Sequence, residues 1–145
     1  MRVLFIGGTG TISMAITRRL LTEGHKVYLL NRGNTKRGAA SGSIGLTGDI
    51  EDEEQIGRLT EGMKFDVVAD FIAFVPEHVE RDYRMFKGRT GQYIFISSAS
   101  AYQKPPSDYR MTEGTPLANQ NGSIPGTRSP ARRFLWRNTG KKDFP

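Results

Sequence analysis

Arg2-Val3-Leu4-Phe5-Ile6-Gly7-Gly8-Thr9-Gly10-Thr11-Ile12-Ser13 is the stretch that decides the fold. Its first half is a short, nearly continuous apolar run ending on glycine, as expected of a strand covered on both faces. Its second half sets the spacing Gly7-x-x-Gly10-x-x-Ser13 ahead of a helical pattern. Glycines at such a junction let the chain turn tightly and bring the backbone close to a diphosphate. The helix that follows offers unpaired N–H groups and the positive end of its dipole. Ser13 stands where a third glycine would favour close packing of helix on strand; serine is small, and the departure is mild. A glycine-rich turn without a ligand is the plainer reading, and the flanking strand and helix argue against it.

The pattern continues outward. Ile12 to Glu23 reads as a helix with Ile12, Ala15, Ile16 and Leu20 on one face and Gly24 as its C′ residue. Lys26 to Leu30 is a second strand, which completes a βαβ unit. Residues 33–43, rich in Gly, Ser, Asn and basic side chains, read as a surface loop. Ser43 to Thr47 is a short third strand. Asp52 to Met63 has acids early and Ile56 and Leu59 on one helical face. A fourth strand lies within Phe65 to Phe74, Pro76 opens a helix running to about Lys87, and Gln92 to Ser97 is a fifth strand. This alternation predicts an α/β, Rossmann-type, doubly wound parallel sheet over residues 1–118, truncated after five strands.

A chain of 145 residues suits one domain. It has no cysteine, which excludes a disulfide framework or a thiolate metal site. No apolar run approaches the ~20 residues of a membrane span, and the chain opens at once on a strand, with no signal peptide evident. The expectation is a soluble, cytoplasmic protein without a membrane partner. His25 and His78 have no neighbouring ligand residues in sequence and read as surface residues, so no metal is expected. The net charge of +6 raises a nucleic-acid partner, but its distribution argues against one. Residues 1–118 hold 15 Lys and Arg against 14 Asp and Glu; residues 119–145 hold six basic side chains against one acid, Asp143. The basic character belongs to the tail.

Three further stretches follow the glycine motif in order: Gly48-Asp49-Ile50, Asp66 to Phe74, and Tyr93-Ile94-Phe95-Ile96-Ser97-Ser98-Ala99-Ser100-Ala101-Tyr102. With them, residues 1 to about 118 resemble extended or atypical short-chain dehydrogenase/reductases of the NAD-dependent epimerase/dehydratase type. The resemblance implies NAD or NADP as cofactor. It also implies redox chemistry on a hydroxyl or keto group, of a nucleotide sugar or similar small molecule, and it leaves room for a homodimer. It places Gly7, Thr9, Gly10, Thr11 and Ile12 against the cofactor's phosphates. Asn31 and Arg32 fall where the second strand selects the cofactor: Arg32, with Lys36 and Arg37 beyond, either accommodates the 2′-phosphate of NADP, stacks on adenine, or is a solvated loop charge. The balance tilts slightly to NADP.

Asp49 and the N–H of Ile50 are implied to meet the adenine ring, although Asp49 is also suited to cap the next helix. Phe71, Ile72 and Ala73 are implied to line the cofactor channel near the ribose, a role compatible with core packing at a strand end. Ser98 matches the catalytic serine that holds the substrate oxygen; Ser97 and Ser100 read as backbone-bonding or pocket serines. The family completes its chemistry with a Tyr-x-x-x-Lys pair further on, the tyrosine acting as general base. The sequence holds one literal match, Tyr83 to Lys87, which precedes the fifth strand on a helix and reads as surface. Tyr102 and Tyr109 lack a lysine four residues on.

The tail suggests a reason. Residues 119–145 mix Gly, Pro, Ser and Arg without a period of 2 or 3.6, and read as irregular. Read one base early, with permitted codon choices, residues 121–145 can be written as a stretch containing Tyr-Thr-Arg-Asp-Lys, an acidic amphipathic helix and Gly-Phe-Pro. The tyrosine arises across the Ser123 and Ile124 codons and the lysine across Thr127 and Arg128. The expectation is out-of-frame translation from near Asn119 and a chain without turnover. A natural basic tail is the alternative. The second functional reading is a non-catalytic dinucleotide-sensing or RNA-associated module of the same family.

Overall fold

The computed structural model describes residues 1–33, 39–98, 102, 109, 110, 112, 114 and 115. The readings at Lys36, Arg37, Ser100 and residues 119–145 lie outside the described residues. The elements run β1 (Arg2–Ile6), α1 (Thr11–Thr22), β2 (Lys26–Asn31), β3 (Ile44–Thr47), α2 (Glu53–Leu59), β4 (Phe65–Asp70), α3 (Pro76–Phe86) and β5 (Thr90–Phe95). All four strand pairings are parallel, in the order β3-β2-β1-β4-β5. The expected Rossmann-type sheet is therefore what forms. Strands are added in one direction from β1 to β3 and in the other from β4 to β5, so β1 and β4 flank a topological switch point.

Alternation along the central strands explains the continuous apolar runs. Leu4 and Ile6 of β1, Tyr28 and Leu30 of β2 and Val68 of β4 face one way, packed with Ile56 of α2 and Phe86 of α3. Val3, Phe5, Val27, Leu29 and Ala69 face the other way, with Leu20 and Leu21 of α1 against them. Each fully buried Val, Leu, Ile or Phe among them contributes about 1.5–3 kcal/mol.

Helix α1 meets the sheet on a face that its apolar spacing does not reveal. Ile12 is 65% and Ile16 39% exposed, and Ala15 is exposed too, whereas Ser13 and Thr17 are buried. The inward positions at the start of the helix are held by the short side chains of Ser13 and Thr17. Ser13 Oγ donates to Gly10 O and Thr17 Oγ1 to Ser13 O, so neither hydroxyl is buried unpaired. Gly24, at φ +79°, ends the helix as expected. Helix α2 stops at Leu59 rather than Met63; Thr60 turns inward, donating to Ile56 O, and Gly62 takes φ +67°.

Helix α3 carries a second feature hidden from periodicity. Arg81 and Asp82 are buried, as is Asp70 at the end of β4. Arg81 donates through Nε and Nη2 to Asp82 Oδ1, and Tyr93 of β5 donates to Asp82 Oδ2 at 2.7 Å. Burial, reinforced by the adjoining Asp70, holds the Asp82 carboxyl well above its ordinary range, so it keeps a proton where an exposed aspartate has lost one. A folded-state value raised this way favours the fold fully below the ordinary value of 3.8; that contribution is lost as pH rises toward the raised one. Asp82→Asn retains the neutral form at every pH. Melting temperature measured from mildly acidic to alkaline buffer is expected to fall less steeply for Asp82→Asn than for the parent; parallel curves would contradict this.

Candidate functional site

The turns after β1, β2, β3 and β4 converge at the carboxyl edge of the sheet around a cleft of about 830 Å³. Its lining includes Gly7, Thr9 and Gly10 from the first turn, Asn31 and Arg32 from the second, and Gly48 to Glu51 from the third; Ile72 and Phe74 come from the fourth. Crevices at this edge and switch point are where open α/β sheets take their ligands.

The glycine turn is built for close approach on two counts. Gly7 takes φ +79°, and a Cβ there would run into Ile72 Cγ2; a Cβ on Gly8 would sit 2.6 Å from Leu29 Cδ2. The fold itself demands these two glycines. Gly10 differs: its backbone is extended, at φ −77°. A Cβ there would meet only Ser13 Oγ, at an ordinary 3.5 Å. Nothing among the described residues requires glycine at position 10, on the cleft wall. Gly10 is also the N-cap of α1, with no side-chain cap and no acid in the first turn. The opening N–H groups of the helix therefore carry their partial positive charge to the cleft without a carboxylate to offset it.

The other walls are held by short-range hydrogen bonds. Thr9 Oγ1 donates to Asn31 Oδ1 at 3.4 Å, tying the glycine turn to the end of β2. Arg32 is exposed beside it. Asp49 does not cap α2; that role falls to Asp52, whose Oδ1 accepts the N–H of Gln55 at 2.9 Å. Asp49 Oδ1 accepts the N–H of Glu51 instead, leaving the residue on the cleft wall. Ile50 lines the cleft while nearly all of it is buried in the core, at 5% exposure. Of the trio after β4, the structure brings Ile72 to the cleft. Phe71 turns the other way and packs edge-on against Phe5 at 5.1 Å, and Ala73 is fully buried. Phe74, not anticipated as a site residue, stands on the cleft beside Ile72. Thr11 and Ile12 occupy the first turn of α1 without lining the cleft.

Ser98 follows β5 at the same edge of the sheet, part-buried, and Ser97 Oγ is buried with no hydrogen-bond partner among the described residues. The Tyr83 to Lys87 match lies on α3 and just past it, with Lys87 Nζ 5.2 Å above the Tyr83 ring, and neither residue lines the cleft. The histidines are less peripheral than expected. His25 Nδ1 lies 3.3 Å from the N-terminal amine, and His78 Nδ1 accepts the N–H of Phe74 at 3.2 Å. Among the described residues there is no group of three potential metal ligands, and no helix is long and apolar enough to cross a membrane.

Comparison with known proteins agrees with this geometry. The chain is 30% identical over 135 residues to a UDP-glucose 4-epimerase of Lactobacillus helveticus, covering 81% of this chain and 41% of the epimerase. It is 30% identical over 116 residues to the chloroplast stem-loop binding protein of 41 kDa b of Arabidopsis thaliana, covering 71% of this chain and 30% of that protein. Among solved structures, the dTDP-glucose 4,6-dehydratase of Bacillus anthracis in complex with NAD superposes with a TM-score of 0.75 at 18% identity, covering 99% of this chain and 52% of the dehydratase. The chain thus spans about half or less of each of these relatives. The model of the NAD dependent epimerase/dehydratase family matches residues 3–123, and the chain belongs to that family.

Proposed function

We propose that this chain is the dinucleotide-binding part of an epimerase/dehydratase acting on a nucleotide sugar. The observation that carries the reading is Gly10: a glycine that the fold does not need, at an uncapped helix start, on the wall of the crevice at the switch point. A diphosphate lying against that backbone accounts for it. Asp49 and the Ile50 N–H then face the adenine, Ile72 and Phe74 the ribose, and Ser98 the substrate oxygen. Hydride transfer is the chemistry that a nicotinamide held by these residues would supply. The relative that is a UDP-glucose 4-epimerase supports the substrate class.

The sequence holds no Tyr-x-x-x-Lys pair beyond Ser98, so binding without turnover is the expected behaviour. Out-of-frame translation from near Asn119 accounts for the missing pair, and the family match ends close by, at residue 123. The codons for residues 121–145 decide that point: they either yield Tyr-Thr-Arg-Asp-Lys one base back or they do not.

Fluorescence titration of NADH and NADPH against the intact chain tests the reading. Both are expected to bind, with no conversion of UDP-glucose. Arg32→Ala is expected to weaken NADPH selectively, by roughly three- to tenfold, as loss of one exposed phosphate contact should. The stem-loop binding relative keeps a second reading in view, an RNA-associated module. Undetectable dinucleotide binding together with RNA binding by the same chain would establish it instead.

A further inference from the structure

Two parts of the cleft lining come from separate turns, residues 48–51 after β3 and Ile72 and Phe74 after β4, and one buried side chain connects to both, to the second through Asp70. Arg81, 5% exposed at its side chain, places Nη1 2.5 Å from Glu51 Oε1 on the first wall. Its Nη2 lies 3.6 Å from Asp70 Oδ2, and Asp70 Oδ1 accepts the N–H groups of Ile72 and Ala73, at 2.5 and 2.8 Å, on the second. His78, one turn earlier on α3, accepts the N–H of Phe74 and sets Nε2 3.9 Å from the same Glu51 oxygen. From these contacts we infer that Arg81 is a positioning residue for the dinucleotide site, bracing the adenine-side wall through Glu51 and the ribose-side wall through Asp70. The inference rests on the dinucleotide reading of the cleft.

Charge balance is consistent with this role. Burial and Asp70 keep a proton on Asp82, so the arginine's charge is not consumed by two adjacent carboxylates. It offsets Asp70 and still attracts Glu51, whose side chain is 64% exposed and needs a reason to hold one position. Asp70 Oδ2 is buried without a hydrogen bond among the described residues, and Arg81 Nη2 lies 3.6 Å from it. A buried acceptor without a hydrogen bond is costly, and a nearby opposite charge offsets part of that cost.

Glu51 gives the cleanest test, because changing an exposed side chain leaves the core intact. Glu51→Ala removes the outer end of the brace, while Glu51→Gln keeps an oxygen for Arg81 Nη1. In the intact chain, Glu51→Ala is expected to weaken NADH binding about fivefold, and Glu51→Gln to restore it to within about twofold, with melting temperatures unchanged. Hydrogen exchange at the amides of residues 72–74 is expected to speed up in Glu51→Ala and in Arg81→Lys. NADH affinities of the double variant Glu51→Ala/Arg81→Lys should be no worse than those of the weaker single variant. Additive losses, which a direct contact of Glu51 with the ligand would give, overturn the brace, as does unchanged exchange at 72–74. A parent chain that binds no NADH defeats the dinucleotide reading separately, because exchange at 72–74 still decides whether the brace exists.

Discussion

Gly10→Ala is expected to weaken NADH binding roughly ten- to a hundredfold while leaving the fold as stable as before. The fold side follows from two small, opposed effects. Alanine is a poorer N-cap than glycine by about 0.5–1 kcal/mol, and an extended φ lets alanine recover about 0.4–1 kcal/mol through the unfolded chain. The binding side has no such offset. A methyl group on the cleft wall keeps a diphosphate from the helix amides, and overpacking of that kind costs about 1–3 kcal/mol, a tenfold loss for each ~1.4 kcal/mol. Gly7→Ala provides the contrast, since it forces a side chain into φ +79° and against Ile72; it is expected to lower both affinity and stability. The measurements are NADH titration and denaturant unfolding of each variant. Equal affinity for the parent and Gly10→Ala would show that no diphosphate packs against that glycine.

Arg81→Met is expected to lower stability by about 3–5 kcal/mol, because removing one partner leaves a buried carboxylate uncompensated. That is a large part of the ~5–15 kcal/mol available to a domain. The carboxylate in question is Asp70, fully buried and lacking a hydrogen bond at Oδ2 among the described residues. Adding Asp70→Asn to Arg81→Met is therefore expected to recover part of the loss, since it removes the stranded charge. Urea unfolding of the single and double variants checks this. A loss under about 1 kcal/mol for Arg81→Met would mean that the cluster is solvated or neutral, contrary to its burial.

Much of this architecture is legible in the sequence, for physical reasons that vary from element to element. Strands buried on both faces read as apolar runs, and β1 spans Arg2 to Ile6 in the structure as in the sequence pattern. The glycine turn, Pro76 at the start of α3 and Gly24 after α1 are positions where backbone geometry limits residue choice, so they too can be read directly. The inward face of α1 could not be read this way. Tight packing selects small residues regardless of polarity, so Ser13 and Thr17 are buried while Ile12 and Ile16 are not. The Asp70, Arg81 and Asp82 cluster was hidden for a related reason. On a helix as charged as Pro76–Phe86, two more charges look like solvated surface, and only the contacts from β4 and β5 show that they are buried.

The cleft residues divide in the same way. Those fixed by backbone position, Gly7, Gly10, Asn31, Arg32, Asp49 and Ile50, all reach the cleft. After β4 the turn is shaped by the N–H groups of Ile72 and Ala73, which donate to Asp70, and of Phe74, which donates to His78; Ile72 and Phe74 line the cleft while Phe71 and Ala73 do not. Alternation along an ideal strand does not foresee a turn held by its own preceding carboxylate.

Titration of NAD into the uniformly ¹⁵N-labelled chain, followed by amide chemical shifts, probes the diphosphate site residue by residue. Saturable shifts are expected at Gly10, Thr11, Ile12 and Ser13, where the diphosphate meets the helix start, with weaker ones at residues 49–51 and 72–74. A folded chain whose amides at 10–13 do not move at any NAD concentration, or whose shifts fall outside the cleft, would contradict dinucleotide binding at this helix.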